Sequence, residues 1–244
     1  MLNPDYSAYS NCIEPLDPET KVAQSTWGEQ WVFWNYINHQ LVGQDRLYEA
    51  WEQKFLHGEN HIVYVLIDKV GENLELLFQN VGVDEPILEL NAGAAGFKSY
   101  HYDLFEQNKH RVIAADFATE MLESNESGDK LLVDNNQPLK FAPESLPAII
   151  SLFGMRYVRD HQRFILELIR ALRPGGEILI IDFQENDHDL EVNEFDPQQI
   201  IEQLGEITGV SFSVSALINK EEHRHNGYSR EKPIWCLRIK KAQA

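Results

Sequence analysis

From Pro86 onward, short apolar runs alternate with stretches of helical periodicity, and this alternation constrains the fold more than any other feature of the chain. The runs are ILEL (87–90), RVIAA (111–115), KLLV (130–133), PAIISLF (147–153) and EILIID (177–182). Helical stretches are expected over Phe97–Gln107, Thr119–Ser124 and Arg159–Leu172. Strands that are apolar on both sides are buried on both faces, and strand–helix–strand units in series form a parallel sheet with right-handed crossovers. The pattern predicts a doubly wound α/β fold with helices on both faces. The last third breaks the alternation: VSFSVSALI (210–218) and IWCLRIK (234–240) are separated by the charged segment KEEHRHNGYSREKP. Two strands with no helix between them form an antiparallel hairpin at a sheet edge.

Upstream of this core the reading changes. Residues 1–25 carry Pro4, Pro15 and Pro18 among polar and acidic residues and read as an extended leader. Between Gln24 and Phe55, the aromatic positions Trp27, Trp31, Trp34, Tyr48 and Trp51 recur at helical steps, which predicts two helices with one aromatic face. The run HIVYVLI resembles a strand locally. Ile62, Leu66, Val70, Leu74 and Leu77 nevertheless share one helical face, so a helix is predicted over 60–80. At 244 residues the whole is expected to be one domain, with 1–80 as an N-terminal helical extension of a core at 81–244.

Composition narrows the partners. The 21 basic and 39 acidic side chains give a formal charge of −18, which repels a phosphate backbone and argues against nucleic acid. Cys12 and Cys236 offer neither a disulfide framework nor metal-ligand spacing, so free thiols in a reducing compartment are expected. The first residues lack the basic start and apolar run of a signal peptide, and no stretch approaches the roughly 20 apolar residues that span a bilayer. The expectation is a cytoplasmic protein that meets no membrane. Nothing in the sequence fixes its oligomeric state.

The chemistry concentrates in PILELNAGAAGF (86–97), a buried strand followed by a turn of small residues and a helix start. Small residues let the backbone approach a ligand closely, and a helix N-terminus offers unpaired N–H donors. Twenty residues after Gly96, Asp116 ends the next strand, where a carboxylate can accept hydrogen bonds from two ribose hydroxyls. Turn and acid together describe a nucleoside site. Each residue also has a structural alternative: Glu89 as a cap for a helix starting near Ala94, Asp116 as a cap for the helix that follows it, and Asp134 and Asn135 as turn residues.

Taken in order from Pro86 to Phe183, these segments resemble the class I, Rossmann-like S-adenosylmethionine-dependent methyltransferase family. Glu89 stands where the family has the acid ending its first strand, with Asn91, Ala92, Gly93 and Gly96 in the turn. Asp116 and Phe117 resemble the end of the second strand, Asp134 and Asn135 the adenine-binding stretch, and SLFGMRYV (151–158), with Phe153, the end of the fourth. ALRPGGEILIIDF (171–183) resembles the family's helix, tight turn and fifth strand. The resemblance implies a mostly parallel seven-stranded sheet with the C-terminal antiparallel hairpin. It further implies S-adenosylmethionine bound by Glu89, Asn91, Ala92, Gly93, Asp116, Phe117, Asp134, Asn135 and Phe153, and methyl transfer to a small-molecule acceptor. Asn91 and Ala95 depart from the usual glycines of the turn. Asparagine tolerates left-handed backbone, and alanine adds only a methyl group.

Methyl transfer is an in-line displacement that needs alignment more than a covalent nucleophile, so no catalytic residue is expected. Tyr157 and His161 are candidate bases, with Arg156 a guide for an anionic acceptor, although helix packing and surface solvation explain them equally well. His188, His223 and His225 lie among acids but in separate loop-like stretches, and no metal is expected. Two other functions fit part of the pattern. A non-catalytic binding or scaffold module would account for Asn91 and Ala95. A nicotinamide-dependent oxidoreductase would use the same turn and acid, but the loose glycine pattern, the absence of a Tyr-x-x-x-Lys pair and the terminal hairpin argue against it.

Overall fold

The computed structural model describes residues 61–93, 95–117, 119–184, 194–219 and 233–243. The two aromatic helices expected before Phe55, the leader, Cys12, and His188, His223 and His225 with their acidic neighbours lie outside the described residues. The first described element is helix α1 (His61–Gln79), followed by strand β1 (Ile87–Leu90), a 3-10 turn (Gly96–Ser99) and helix α2 (Tyr102–Asn108). Strand β2 (Val112–Asp116), helix α3 (Thr119–Ser124), strand β3 (Asp129–Leu132) and strand β4 (Leu146–Leu152) come next. Helix α4 (His161–Ala171), strand β5 (Leu172–Phe183), helix α5 (Pro197–Leu204) and strands β6 (Val210–Ile218) and β7 (Ile234–Lys241) complete the chain.

The strands form one seven-stranded sheet in the order β3-β2-β1-β4-β5-β7-β6. Pairing is parallel from β3 to β5 and antiparallel at β5–β7 and β7–β6. The chain starts at β1, winds outward through β2 and β3, then returns to the other side of β1 as β4. Strand order therefore reverses between β1 and β4, the position at which open α/β sheets form a crevice beyond their carboxyl ends.

Period-two alternation divides the core between the two faces. Leu88, Leu90, Ile113, Ile149, Ile178 and Ile180 pack with Phe164, Leu168, Phe195 and Ile200 of the α4 and α5 side. Ile87, Val112, Ala148, Ile150, Leu179 and Ile181 pack with Val70, Leu74, Leu77, Phe97 and Phe105 of the α1 and α2 side. The helix expected at 60–80 is thus present, and its Val70, Leu74 and Leu77 stripe is buried.

One expectation needs correction, and one helix was not foreseen. The helix expected over Phe97–Gln107 is broken: after the 3-10 turn, His101 takes an extended conformation (φ −154°) and its Nδ1 accepts the Leu104 N–H, starting α2 afresh. A further helix, α5, stands between β5 and β6. Asp196 caps it by accepting the N–H groups of Gln198 and Gln199, and Pro197 occupies its first position.

Across the far half of the sheet, buried Glu177 of β5 is paired with Arg238 and Lys240 of β7 and accepts a bond from Asn80. Arg238 also donates to the carbonyl and side-chain oxygens of Asn73. This clamp ties α1 to the β5–β7 pair. No described helix is long and apolar enough to cross a membrane.

Candidate active site at the β1–β4 crevice

Glu89, third residue of β1, lies on the same side of the sheet as Ile87 and is therefore buried in the apolar layer beneath α2; only 1% of it is exposed. Its carboxylate accepts the Phe97 N–H of the 3-10 turn, close to the capping alternative raised for it. Oε2 has no hydrogen-bond partner among the described residues. Burial raises its pKa to about 8; the Phe97 bond opposes this and the nearby Asp116 charge adds to it. Gly96 lies directly over the carboxylate with φ +53°, and a Cβ there would stand 2.4 Å from Oε2. The glycine is needed both for its left-handed backbone and for that space.

The turn after β1 is held by its neighbours. Asn91 has φ +56° and Gly93 φ +55°, so the asparagine does adopt the left-handed conformation its side chain tolerates. The Ala92 N–H bonds to the Ala115 carbonyl, the Gly93 N–H to Asp116 Oδ2 at 2.9 Å, and the Gly96 N–H to the Ala92 carbonyl. Asp116, at the carboxyl end of β2 and 6% exposed, thus reaches back to the turn, and half-buried Phe117 follows it.

Asn91 directs its amide toward β4 instead of away from the sheet. Nδ2 donates to Ser151 Oγ at 2.9 Å, and Oδ1 accepts from Asn135 Nδ2 at 2.7 Å. Gly154 makes the room: a Cβ on it would lie 2.2 Å from Asn91 Cγ. Asn135 is 7% exposed, and its Oδ1 has no partner among the described residues. Asp134 accepts the Asn136 N–H in a local turn, as the turn alternative anticipated. The β3–β4 loop is strapped to the following elements by Asn136, whose amide donates to the Tyr157 carbonyl and whose Oδ1 accepts the Arg159 N–H.

Beyond β4, Phe153 occupies the left-handed region at φ +57°, which costs an aromatic residue about 1–2 kcal/mol. Its ring stands 5.5 Å from Tyr100 and 4.9 Å from Phe183, centre to centre, forming a half-buried aromatic wall at the carboxyl ends of β4 and β5. Asp182 fixes the next turn by accepting the N–H groups of Met155 and Phe183.

The crevice thus brings together Glu89, Asn91, Ala92, Gly93, Asp116, Asp134, Asn135 and Phe153, with Phe117 beside them. One of the two candidate bases, His161, is engaged elsewhere. His161 Nε2 donates to the Met155 carbonyl at 2.7 Å, and the ring packs edge-on against Phe195. Burial holds its pKa below the usual histidine value, partly offset by that bond. His161 is a packed residue at the start of α4. No group of three or more metal-ligating side chains is assembled among the described residues. Ser151, Gly154 and Arg163 were not anticipated as neighbours of the site. Ser151 and Gly154 fall within SLFGMRYV, so that segment was the available signal; Arg163 left none.

A sequence profile described as a methyltransferase domain matches residues 90–180, the span from the end of β1 into β5. Over that span the chain is similar to methyltransferase domains. Among its relatives, the demethylmenaquinone methyltransferase of Mycobacterium sp. (strain KMS) is 38% identical over 73 residues, covering 29% of this chain and 31% of that one. The ubiquinone/menaquinone biosynthesis C-methyltransferase UbiE of Shewanella sediminis is 31% identical over 113 residues, 43% of this chain and 45% of that one. The chain therefore aligns with less than half the length of these two relatives. Its fold is also that of Haemonchus contortus phosphoethanolamine N-methyltransferase 2, solved in complex with S-adenosyl-L-methionine, with a TM-score of 0.54 at 14% identity over 94% of this chain and 60% of that one.

Proposed function

We propose that the chain transfers a methyl group from S-adenosylmethionine to a small-molecule acceptor. The observation that carries this reading is the convergence of Glu89, Asp116, Asp134 and Asn135 at the carboxyl ends of β1, β2 and β3, beside the point where strand order reverses. The residues present suit the group. Glu89 Oε2 and Asn135 Oδ1 are buried acceptors with no described partner, matching a ligand that is cationic at one end and carries N–H donors at the other. In this reading Asp116 holds the ribose hydroxyls, Asp134 and Asn135 the adenine, and Glu89 with the Asn91–Gly93 turn the amino-acid end, alongside Phe117 and Phe153.

Bound S-adenosylmethionine supplies an electrophilic methyl group, and the work of the chain is to align the acceptor and exclude water. The wall of Tyr100, Phe153 and Phe183 suits an apolar or aromatic acceptor and provides a ring face for a nearby sulfonium. Quinone-biosynthesis relatives make a planar ring a reasonable acceptor class. No step here requires a protein nucleophile.

A second reading, a non-catalytic binding or scaffold module, is favoured by one feature. The N–H groups of Ala92, Gly93 and Gly96 are all engaged within the protein, so these donors of the turn are already used. Calorimetric titration of S-adenosylmethionine and S-adenosylhomocysteine separates the two. Saturable binding that Asp116→Ala weakens by at least ~100-fold, the loss of a charge-assisted pair of bonds, supports the enzyme. Absence of binding at millimolar ligand overturns it.

A further inference from the structure

Helix α4 sends two arginines, two turns apart, onto the backbone of the β3–β4 loop. Arg163 donates to the Asn135 carbonyl at 2.9 Å and the Gln137 carbonyl at 3.1 Å. Arg170 donates to the Phe141 carbonyl at 2.7 Å and the Leu139 carbonyl at 3.0 Å, and is paired with Glu167. Both are half-buried forks that satisfy loop carbonyls. They differ in what lies beyond. The carbonyls held by Arg170 belong to Leu139 and Phe141, whose side chains are in the core. The carbonyl held by Arg163 belongs to Asn135, whose side chain enters the crevice, bonds Asn91 at 2.7 Å, and through it reaches Ser151.

We propose that Arg163 is a positioning residue for the nucleoside site, acting through Asn135 on Asn91. Fixing the Asn135 backbone from the helix side leaves its amide one useful direction. Nδ2 meets Asn91 Oδ1, and Oδ1 stays buried, without a described partner, as an acceptor for a ligand donor. Asn91 in turn donates to Ser151 Oγ, so the ends of β1 and β4 and the loop after β3 are held as one unit. Losing Arg163 does not free the loop, because Asn136 still bonds the Tyr157 carbonyl and the Arg159 N–H. It frees the orientation of Asn135. Side chains that position binding groups from behind act on affinity without touching the ligand.

This inference rests on the nucleoside site proposed above, and its test keeps the two apart. S-Adenosylhomocysteine is titrated into the full chain and into Arg163→Ala, Arg163→Lys, Arg170→Ala, Asn135→Ala and the Arg163→Ala/Asn135→Ala pair, with the melting temperature of each recorded. Arg163→Ala is expected to weaken binding about tenfold, Arg163→Lys less, and Arg170→Ala less than about twofold although it lowers the melting temperature at least as much. Because the arginine acts through Asn135, the double variant should bind as Asn135→Ala does. Wild-type binding with Arg163→Ala and Arg170→Ala indistinguishable, or with additive losses in the double variant, overturns the positioning role alone. Failure of the wild-type chain to bind overturns the nucleoside site and the positioning role together.

Discussion

Glu89 and Glu177 are buried to nearly the same degree in the same sheet, at 1% and 3% exposed, yet they are built for opposite ends. Glu177 sits in β5 among cations: Arg238 and Lys240 pair with it, and Asn80 donates to it. Glu89 sits in β1 with the backbone N–H of Phe97 and another acid, Asp116, nearby, and one of its oxygens has no described partner. A buried carboxylate surrounded by its own counter-charges has its interactions complete in the folded chain. One that is buried beside a second acid is incomplete, and incompleteness of this kind marks a place where something else is meant to bind.

Breaking the complete site should show the largest effect. Arg238→Met leaves Glu177 with only the half-exposed Lys240 as counter-charge, beside the Asn80 amide, and removes the ties to Asn73, so a loss of about 3 kcal/mol in urea unfolding is expected, with S-adenosylhomocysteine affinity unchanged. An unaltered urea midpoint would erase the distinction between the two acids.

Glu89→Gln acts in the other direction. Because burial raises the Glu89 pKa to about 8 from an ordinary value of 4.5, the folded chain holds a proton that the unfolded chain has released. Stability therefore falls as pH rises from about 4.5 to about 8 and levels off above. Glutamine removes that slope. The variant should gain on wild type by up to roughly 1.4 kcal/mol per pH unit within that window, read from unfolding curves at pH 5, 6, 7 and 8, while ligand affinity falls. Parallel pH profiles for the two proteins would mean that Glu89 is ionised and satisfied in the folded state.

The smallest effect belongs to His161. Its depressed pKa contributes stability that is present above about 6.5, the unfolded value, and is lost as pH falls toward the folded one. His161→Gln, which can still donate to Met155, should flatten this acid-side loss and leave the pH dependence of the proposed methyl transfer unchanged. A shift of the activity profile would restore His161 as a base.

Much of the architecture was legible because it is written in periodicity. The parallel core, the terminal hairpin and the α1 stripe each follow from apolar spacing that tertiary packing did not override. The helix at Pro197–Leu204 was missed despite an available signal, since Asp196 followed by Pro197 is a common way to begin a helix. The break between the 3-10 turn and α2 was not legible, because it depends on the extended His101 backbone and on the pairing of His101 Nε2 with Glu75 at 2.7 Å, 26 residues away. The same holds at the crevice. Residues at the ends of strands could be read from their segments, whereas the partnership of Asn91 with Ser151 spans 60 positions and that of Arg163 with Asn135 spans 28. Contacts of that range follow from the fold and leave no local mark in the sequence.

The fit between Asn91 and Gly154 has a genetic consequence. Giving Gly154 a side chain collides with the amide of Asn91, and reducing Asn91 to glycine strips Ser151 Oγ and Asn135 Nδ2 of the partner described here and leaves a void. The two positions are epistatic. Either change alone is expected to be deleterious, whereas the exchange that moves the bulk from one strand end to the other is the one with room to succeed, so this corner of the crevice can drift in sequence only by paired steps.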